Sequence, residues 1–355
     1  MQHVAIDLGS KESQFCIRAG DGTLLQEGKH LTKGLAALMR RWPPSRVILE
    51  TSSESFRIAD QAKEAGHDVR VVPATLVRQL GVGERGIKTD RRDARKLSEV
   101  SCRVDLPSVW VPSAMARMRR SMLKAHESLM TARTQLINHV RGWMRQHLLK
   151  PKATPATLPE AVKTAAQNAG IEIPAFIESV LVVLTTLNAQ ILASRKRLAE
   201  EAKKDEVCVR LMTIPGVGPM SALAFVAAVD DLKRFPSAHA VQSYLGLTPG
   251  EDSSSERQRR KGITKAGPAL VRRVLVQAAW AAKRCAPDSP MVRWSQGISD
   301  RRGIFIGVVA LARKLAGIMF AIWRDGSEYK AAHERRAQHE RKAAARAAVA
   351  ATAAA

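Results

Sequence analysis

Apolar and polar positions in the first hundred residues alternate between strand-like and helix-like patterns. Short apolar runs predict strands, and apolar positions three or four apart predict helices between them. We predict strands over 3–8, 14–19, 23–28, 46–50 and 68–72, and helices over 31–41, 55–65, 75–80 and 88–100. Three consecutive strands followed by alternating helices and strands are the element order of a ribonuclease-H-like α/β domain.

The chain after this region reads as helical. The pattern predicts two long helices, over 114–148 and 174–204, which a proline-rich break separates. Heptad-like apolar positions in the first helix are Met118, Met122, Leu129, Leu136 and Val140. This spacing predicts an antiparallel helical hairpin, either a coiled coil or a pair of ordinary core helices.

The sequence therefore predicts a combination of α/β and all-α architecture. We expect a ribonuclease-H-like domain over 1–112, a coiled-coil or helical hairpin over 113–206, a mainly helical domain over 207–330, and a disordered Ala/Arg-rich tail over 331–355.

Charge narrows the class of partner. The chain has 57 Lys and Arg against 33 Asp and Glu, a net charge of +24, of which +13 falls after residue 206. Such an excess predicts a polyanionic partner, and nucleic acid is the leading candidate. Four widely spaced cysteines argue against a disulfide framework or a zinc site. Since no run approaches 18 apolar residues, we expect no membrane-spanning helix and no membrane partner. The cysteine usage fits a reducing compartment, so we expect a cytoplasmic, nucleoid-associated protein.

Four carboxylates fall where a ribonuclease-H-like sheet could bring them together. Asp7 ends the first predicted strand, Glu50 ends the fourth, and Asp90 and Asp93 share a face of the last helix. Clustered carboxylates require cations, and oxygen ligands favour Mg²⁺ or Mn²⁺. In the alternative interpretation Asp7 is a turn residue, Glu50 is a helix-capping or surface acid, and the two helical aspartates pair with neighbouring arginines.

A glycine-rich turn in the C-terminal half has the signature of a helix–hairpin–helix. In LMTIPGVGPMSA, Gly216 and Gly218 would let the backbone approach a phosphate, and the next helix would offer free amides. An ordinary tight turn between two helices is the alternative.

Three consecutive serines, Ser253 to Ser255, precede a dense group of cations. We predict that these cations bind nucleic acid: Arg257, Arg259, Arg260, Lys261, Lys265, Arg272 and Arg273. A serine hydroxyl beside such a group is suited to attack on phosphorus, because the cations would stabilise the charged transition state. A polar phosphate-binding loop without a nucleophile remains the alternative.

These segments together resemble the DEDD-type transposases of the insertion-sequence one-ten family, relatives of the Piv DNA invertases. The resemblance is carried by VAIDLGSKES, RVILETSS, KTDRRDARKLSE, MTIPGVGPMSA and LGLTPGEDSSSERQRRKGITKAG, in the family's order. It implies a RuvC-like domain, a coiled-coil insertion and a C-terminal transposase domain. It also implies that Asp7, Glu50, Asp90 and Asp93 bind Mg²⁺ and that a serine joins transiently to DNA.

The resemblance further implies donor and target DNA as partners, a structured guide RNA from the same element, and a dimer or tetramer with a shared active site. One departure concerns the nucleophile, because this chain has Ser253-Ser254-Ser255 where the family usually has Ser-Ser-Gly. We favour Ser254, with Ser253 second.

Three functions follow from the sequence. The first is an RNA-guided DNA recombinase that uses metal and serine together. The second is a metal-dependent nuclease of the Holliday-junction type, in which water is the nucleophile. The third is a non-catalytic nucleic-acid-binding protein.

Overall fold

The computed structural model describes residues 1–79, 90–254 and 257–330, which fall into two units, Met1–Ser113 and the residues from Ala114 onward. The tail predicted over 331–355 lies outside the described residues. The predicted segments 113–206 and 207–330 both lie in the second unit.

A five-stranded mixed sheet forms the centre of the first unit. Its strands are β1 Gln2–Asp7, β2 Glu12–Arg18, β3 Leu24–Leu31, β4 Ser45–Glu50 and β5 Asp68–Val72, in the order β3-β2-β1-β4-β5. Its helices are α1 Leu35–Met39, α2 Ser55–Glu64, α3 Ala74–Gln79 and α4 Asp90–Arg103, with a 3-10 turn at Thr32–Gly34. β1 to β3 are antiparallel neighbours, whereas β1, β4 and β5 are parallel. The predicted element order is present and is compatible with a ribonuclease-H-like fold.

The two faces of this sheet pack against different helices. Val4 and Ile6 of β1 are buried in a cluster with residues of α1 and α2. Ala5 of β1 is buried in a second cluster, with Ile48 of β4 and Leu97 of α4. Because successive side chains of a strand point to opposite faces, every second residue of β1 and β4 faces α4.

An ion-pair cluster ties α4 to the far strand of the sheet. Arg91 and Arg95 of α4 both contact the Glu27 carboxylate of β3, with Arg95 Nη2 donating to Glu27 Oε1 over 2.7 Å. Hydrogen bonds from Arg95 and Arg91 lower the pKa of Glu27 to about 2. The cluster therefore fixes the N-terminal half of α4 over the strands β1 to β3.

Where the structure describes the second unit, its regular elements are helices and one β-hairpin. Its helices are α5 Ala114–Gln146, α6 Leu158–Asn168, α7 Ala175–Lys203, α8 Glu206–Leu211, α9 Pro219–Val229, α10 Ala238–Tyr244, α11 Ala269–Cys285, α12 Pro290–Arg302 and α13 Ile304–Asp325, with a 3-10 turn at Leu232–Arg234. The strands β6 Pro249–Ser254 and β7 Arg257–Ile263 pair antiparallel. Two features depart from the predicted pattern: α6 forms inside the proline-rich break, and the hairpin interrupts the C-terminal helices. α6 tolerates Pro159 because proline fits the first turn of a helix.

The long helices α5 and α7 pack along a heptad seam whose register differs from the predicted one. Val140 is buried as predicted, but Met118 is 42% exposed. The buried residues of α5 that keep heptad spacing are Ala116, Arg119, Leu123, His126, Ile137, Val140 and Met144. The apolar pattern missed this register because two of these positions, and Arg133 seven residues after His126, are polar.

Polar residues of α5 at seven-residue intervals have partners on α7 or at its end. Arg119 Nη1 donates to Asp205 over 2.6 Å, and its Nε donates to Glu201 over 3.3 Å. His126 Nδ1 lies 3.2 Å from Ser194 Oγ. Arg133 Nη1 donates to Asn188 over 3.3 Å. These pairs fix the register between the helices, because a shift by one turn would leave buried polar groups unpaired.

Two helices of this unit, α7 and α13, are long and apolar enough to cross a membrane by length and composition alone. Both contribute buried residues to the unit. Leu198 of α7 and Leu311 and Leu315 of α13 belong to its largest hydrophobic cluster. Their apolar content is therefore consistent with core helices.

The turn between α8 and α9 packs closely on α11. Gly216 has a φ of +84°, and a Cβ at this position would lie 2.3 Å from the carbonyl oxygen of Ala278 and 2.4 Å from the backbone nitrogen of Ala282. Gly218, by contrast, has a φ of −99° and open space where a Cβ would point. Only the first of these two glycines is required for packing.

We expect Glu27→Gln to lower the Tm at pH 7, because the variant loses the charge that holds Arg91 and Arg95. The depressed pKa means that the stabilisation is complete above about pH 4.5 and is lost as the pH falls through about 2. Thermal unfolding measured across this pH range should show the Tm of the variant converging with that of the wild type at low pH. The control is Glu12→Gln, because its pair with Lys29 is exposed; an equal effect there would contradict the assignment.

The two glycines of the turn should differ in their tolerance of alanine. Gly216→Ala should destabilise the protein by about 3 kcal/mol or more, because it adds backbone strain to a collision with α11. Gly218→Ala should cost less than about 1 kcal/mol, since only a helix cap changes. Urea unfolding of both variants measures the difference, and equal costs would refute this account of the turn.

Candidate active site

The carboxyl ends of two neighbouring parallel strands place Asp7 and Glu50 side by side. Asp7 is the last residue of β1 and Glu50 the last residue of β4, and the residues before them, Ile6 and Leu49, are register partners. Adjacent strands lie about 4.8 Å apart. Asp7 alternates with Ala5 and Glu50 with Ile48, so both carboxylates belong to the sheet face that α4 covers.

Helix α4 brings a third carboxylate to this edge. His3 Nδ1 lies 2.7 Å from Ser101 Oγ, which fixes the C-terminal end of α4 near the start of β1. From Ser101 back to Asp93 the helix rises about 12 Å, and from His3 to Asp7 the strand advances about 13 Å. Asp93 therefore lies near the level of Asp7, and it is 8% exposed.

The fourth predicted carboxylate is only partly described. Asp90 is the first residue of α4 and lies three positions before Asp93, so the two belong to one face of the helix. The side chain of Asp90 lies outside the described part of the structure. The structure thus brings Asp7, Glu50 and Asp93 to one edge of the sheet, and it is silent on how the Asp90 side chain completes the group.

The donor chemistry of this edge suits a hard divalent cation, because carboxylate oxygens are its preferred ligands. Within the described ranges, no three His, Cys, Asp or Glu side chains form a ready metal site. Two of the arginines considered as partners of the helical aspartates, Arg91 and Arg95, pair with Glu27. A cation bound at this edge would have to draw the carboxylates closer together.

The serine block lies at the tip of the hairpin in the second unit. Ser254 is the last residue of β6 and its backbone pairs with Arg257 of β7, while Ser253 pairs with Gln258. Ser255 and Glu256, and the side chains from Asp252 to Arg260, lie outside the described residues. The strand register thus places the backbone of Ser254 directly across from that of Arg257, the first of the predicted cations. Arg259 and Arg260 follow Arg257 on β7.

The base of the hairpin is closed by tightly packed loops. A Cβ on Gly267, whose φ is +68°, would lie 2.0 Å from the carbonyl oxygen of Tyr244. Arg272 Nη1 donates to the carbonyl oxygens of Leu245 and Gly267, over 3.2 and 3.0 Å, and to that of Ala266. This guanidinium therefore links the loop before β6 to the loop after β7.

The remaining predicted cations have different surroundings. Arg273 pairs with Glu127 of α5, and this hydrogen bond is the main cause that lowers the pKa of Glu127. Lys261 and Lys265 are exposed. Arg272 and Arg273 thus both contact other parts of the second unit, and the two lysines are exposed on its surface.

The predicted helix–hairpin–helix corresponds to α8, the turn and α9. Gly218 is the N-cap residue of α9, with Pro219 in the first turn and no side chain bonded to the cap. The free backbone N–H groups of this turn can donate hydrogen bonds to a bound anion, whereas Gly216 is needed for packing on α11. Of the two predicted binding glycines, Gly218 is thus the one open to a ligand.

Sequence reasoning missed Glu27, which holds α4 in place over the sheet. No spacing rule could find it, since 64 and 68 residues separate it from Arg91 and Arg95. Its position in an edge strand of a mixed sheet shows only in three dimensions. The C-terminal half of α4 is held separately, by His3 at Ser101 and by Arg18 Nε, which donates to Ser98 Oγ over 3.2 Å.

Comparison with known proteins agrees with both blocks of motifs. A DEDD transposase model of the IS110 type, described as "Transposase", matches residues 4–148. A second model, described as "Transposase IS116/IS110/IS902 family", matches residues 208–291. The first covers the acidic edge of the sheet, and the second covers the turn before α9 and the serine hairpin.

Individual relatives extend over most of the chain. A "Probable family 20 transposase" of Pseudomonas aeruginosa is 30% identical over 80% of this chain and 85% of its own length. The "Transposase for insertion sequence element IS1111A" of Coxiella burnetii is 28% identical over 68% of each chain. The "Transposase for insertion sequence element IS1328" of Yersinia enterocolitica is 22% identical over 92% of this chain and 98% of its own. The chain therefore belongs to the IS110 family of DEDD transposases, which are enzymes that recombine DNA.

Proposed function

We propose that this transposase cuts and rejoins DNA with a divalent-metal site at the acidic edge and a serine nucleophile on the hairpin. The observation that carries the proposal is the placement of Asp7 and Glu50 on adjacent parallel strands with Asp93 at the same level. This placement falls within the part of the chain that the DEDD model matches.

Asp7, Glu50, Asp90 and Asp93 are the residues that would hold the metal, and Mg²⁺ is the ion we propose, with Mn²⁺ as a substitute. Bound there, such ions supply Lewis-acid stabilisation to the oxygens around a reacting phosphodiester. The chain's own contribution would be to carry these carboxylates on two strands and one helix, so that a cation has only their side chains to draw together.

Ser254 is the nucleophile we propose. Its hydroxyl oxygen forms a bond to a DNA phosphorus, the bond from phosphorus to one deoxyribose oxygen breaks, and that oxygen takes up a proton in place of the one the serine loses. Attack by the hydroxyl of a second DNA strand then releases the serine and joins the strands. In this proposal the cations of β7 would stabilise the charge on the phosphoryl oxygens.

The proposed partners follow from the resemblance to the family. They are donor and target DNA, a structured guide RNA that pairs with both, and further copies of this chain in a dimer or tetramer. The net charge of +13 after residue 206 supports a nucleic-acid surface in the second unit. A guide RNA would explain how a chain with few aromatic residues selects a sequence without reading bases itself.

We expect Mg²⁺ to raise the Tm of the wild-type chain, since it neutralises carboxylates that repel one another. Asp93→Asn should remove most of this increase while leaving the Tm without Mg²⁺ unchanged or slightly higher. Glu64→Gln, on the exposed C-terminal turn of α2, is the control and should keep the full response. A wild-type response to Mg²⁺ in Asp93→Asn would count against a metal site at this edge.

Ser254→Ala and Asp7→Ala should each abolish strand exchange, because one removes the nucleophile and the other a metal ligand. DNA affinity in the presence of EDTA should stay within about twofold of wild type, as neither change removes a cation. Ser253→Ala should retain activity and serves as the neighbouring control. If strand exchange persisted after replacement of Ser253, Ser254 and Ser255 together, the serine mechanism would be excluded.

A further inference from the structure

The second unit contains a cleft that the proposed catalytic chemistry does not use. It measures about 1000 Å³ and lies between the helices α5 and α7, the turn before α9, and helix α11. Gly218, the open N-cap of α9, lies on its wall. The cleft is therefore large enough to hold part of a polymer and is continuous with the free amides of α9.

Cations from three helices face this cleft. Arg133 of α5, Arg195 and Lys196 of α7, and Arg284 of α11 line it, and none of its lining residues is acidic. Within the described part of the chain, none of these four forms an ion pair with a carboxylate. The hydrogen bonds of Arg133 go instead to the amide oxygen of Asn188 and the Met130 sulfur. The cleft is thus positively charged and lacks internal neutralisation.

The positive charge of the cleft also affects the pKa of a neighbouring histidine, His126. His126 also lines the cleft, and its pKa is lowered, first by burial and then by the positive charges of Arg195 and Arg133. The imidazole is therefore held neutral at physiological pH, where its hydrogen bond to Ser194 serves the helix pair. The cations, and not this histidine, are the groups available to an anion.

The floor between the cations is apolar. The apolar residues that line it are Met130, Ile191, Leu192, Met220 and Trp280. Leu192 lies outside the seam between α5 and α7 and is 65% exposed. Alternation of apolar surface with cations matches an unpaired nucleic-acid strand, whose bases need cover from water and whose phosphates need positive charge. A duplex keeps its bases stacked inside and would leave the apolar floor unused.

We propose that this cleft binds an unpaired segment of DNA. This inference rests on the proposed function, because strand exchange requires DNA strands that have left their duplex. DNA fits better than RNA, since each 2′-hydroxyl placed on the apolar floor would lose hydrogen bonds to water without a new partner. Arg195 and Lys196 contact the phosphates, and Leu192 and Trp280 contact the bases.

The test measures the affinity of the full-length chain for a labelled 12-nucleotide DNA strand by fluorescence anisotropy in EDTA. The same sequence is measured as duplex DNA and as single-stranded RNA. The variant is the double change Arg195→Gln and Lys196→Gln. Its matched control is Arg197→Gln with Lys203→Gln, which removes the same charge from exposed positions of the same helix outside the cleft.

The cleft variant should bind single-stranded DNA about tenfold more weakly, with duplex affinity within about twofold of wild type. The slope of log K against log salt should become shallower by about 1.4, the value for two lost contacts to single-strand phosphates. Leu192→Gln, which keeps all charges, should also weaken single-strand binding and leave duplex binding unchanged.

Equal losses in the cleft variant and its control would overturn the proposal, since they would indicate general charge attraction. A loss confined to the duplex or to RNA would also overturn it. Because the measurement needs neither metal nor Ser254, a failure here leaves the proposed catalytic chemistry standing, and a failure of that chemistry leaves this binding result unaffected.

Discussion

The parallel pairing of β1 with β4 is the constraint on which the candidate metal site depends. Parallel neighbours end at the same edge of a sheet, so Asp7 and Glu50 meet although 42 residues lie between them in the sequence. An antiparallel pairing would place them at opposite edges. The helix α4, held by its apolar face and by the ion pairs to Glu27, then adds Asp93 at the same level. Three carboxylates are positioned by regular secondary structure and not by flexible loops.

The sequence predicted this part of the fold well because its signals are local. β1 and β4 are short apolar runs, and the acids at their ends follow directly from the strand boundaries. The ion pairs of Glu27 could not be predicted, since they join an edge strand to a distant helix. The register of α5 on α7 was also missed, because Arg119 and His126 occupy buried seam positions that an apolar pattern passes over. The serine hairpin was also missed, because its strands are polar and charged and lack the alternation of apolar and polar residues that predicts a strand.

The acidic edge and the serine hairpin lie in units of different net charge. The N-terminal region, with a net charge of +4 over residues 1–112, carries the acidic edge, whereas the residues after 206 carry +13. Glu27 pairs with Arg91 and Arg95 on the same helix that carries Asp93. The sequence thus concentrates its excess of cations in the part of the chain that contains the hairpin.

In the proposed mechanism a serine of the hairpin, and not water, attacks the DNA. The test is to incubate the chain with Mg²⁺, its element's DNA and the proposed guide RNA. The products are separated on a denaturing gel, and any DNA-linked peptide is mapped by mass spectrometry. Our account predicts a covalent adduct whose nucleotide is attached to Ser254. Hydrolysed DNA ends without an adduct, under conditions where the DNA is cut, would contradict it and indicate a nuclease that uses water.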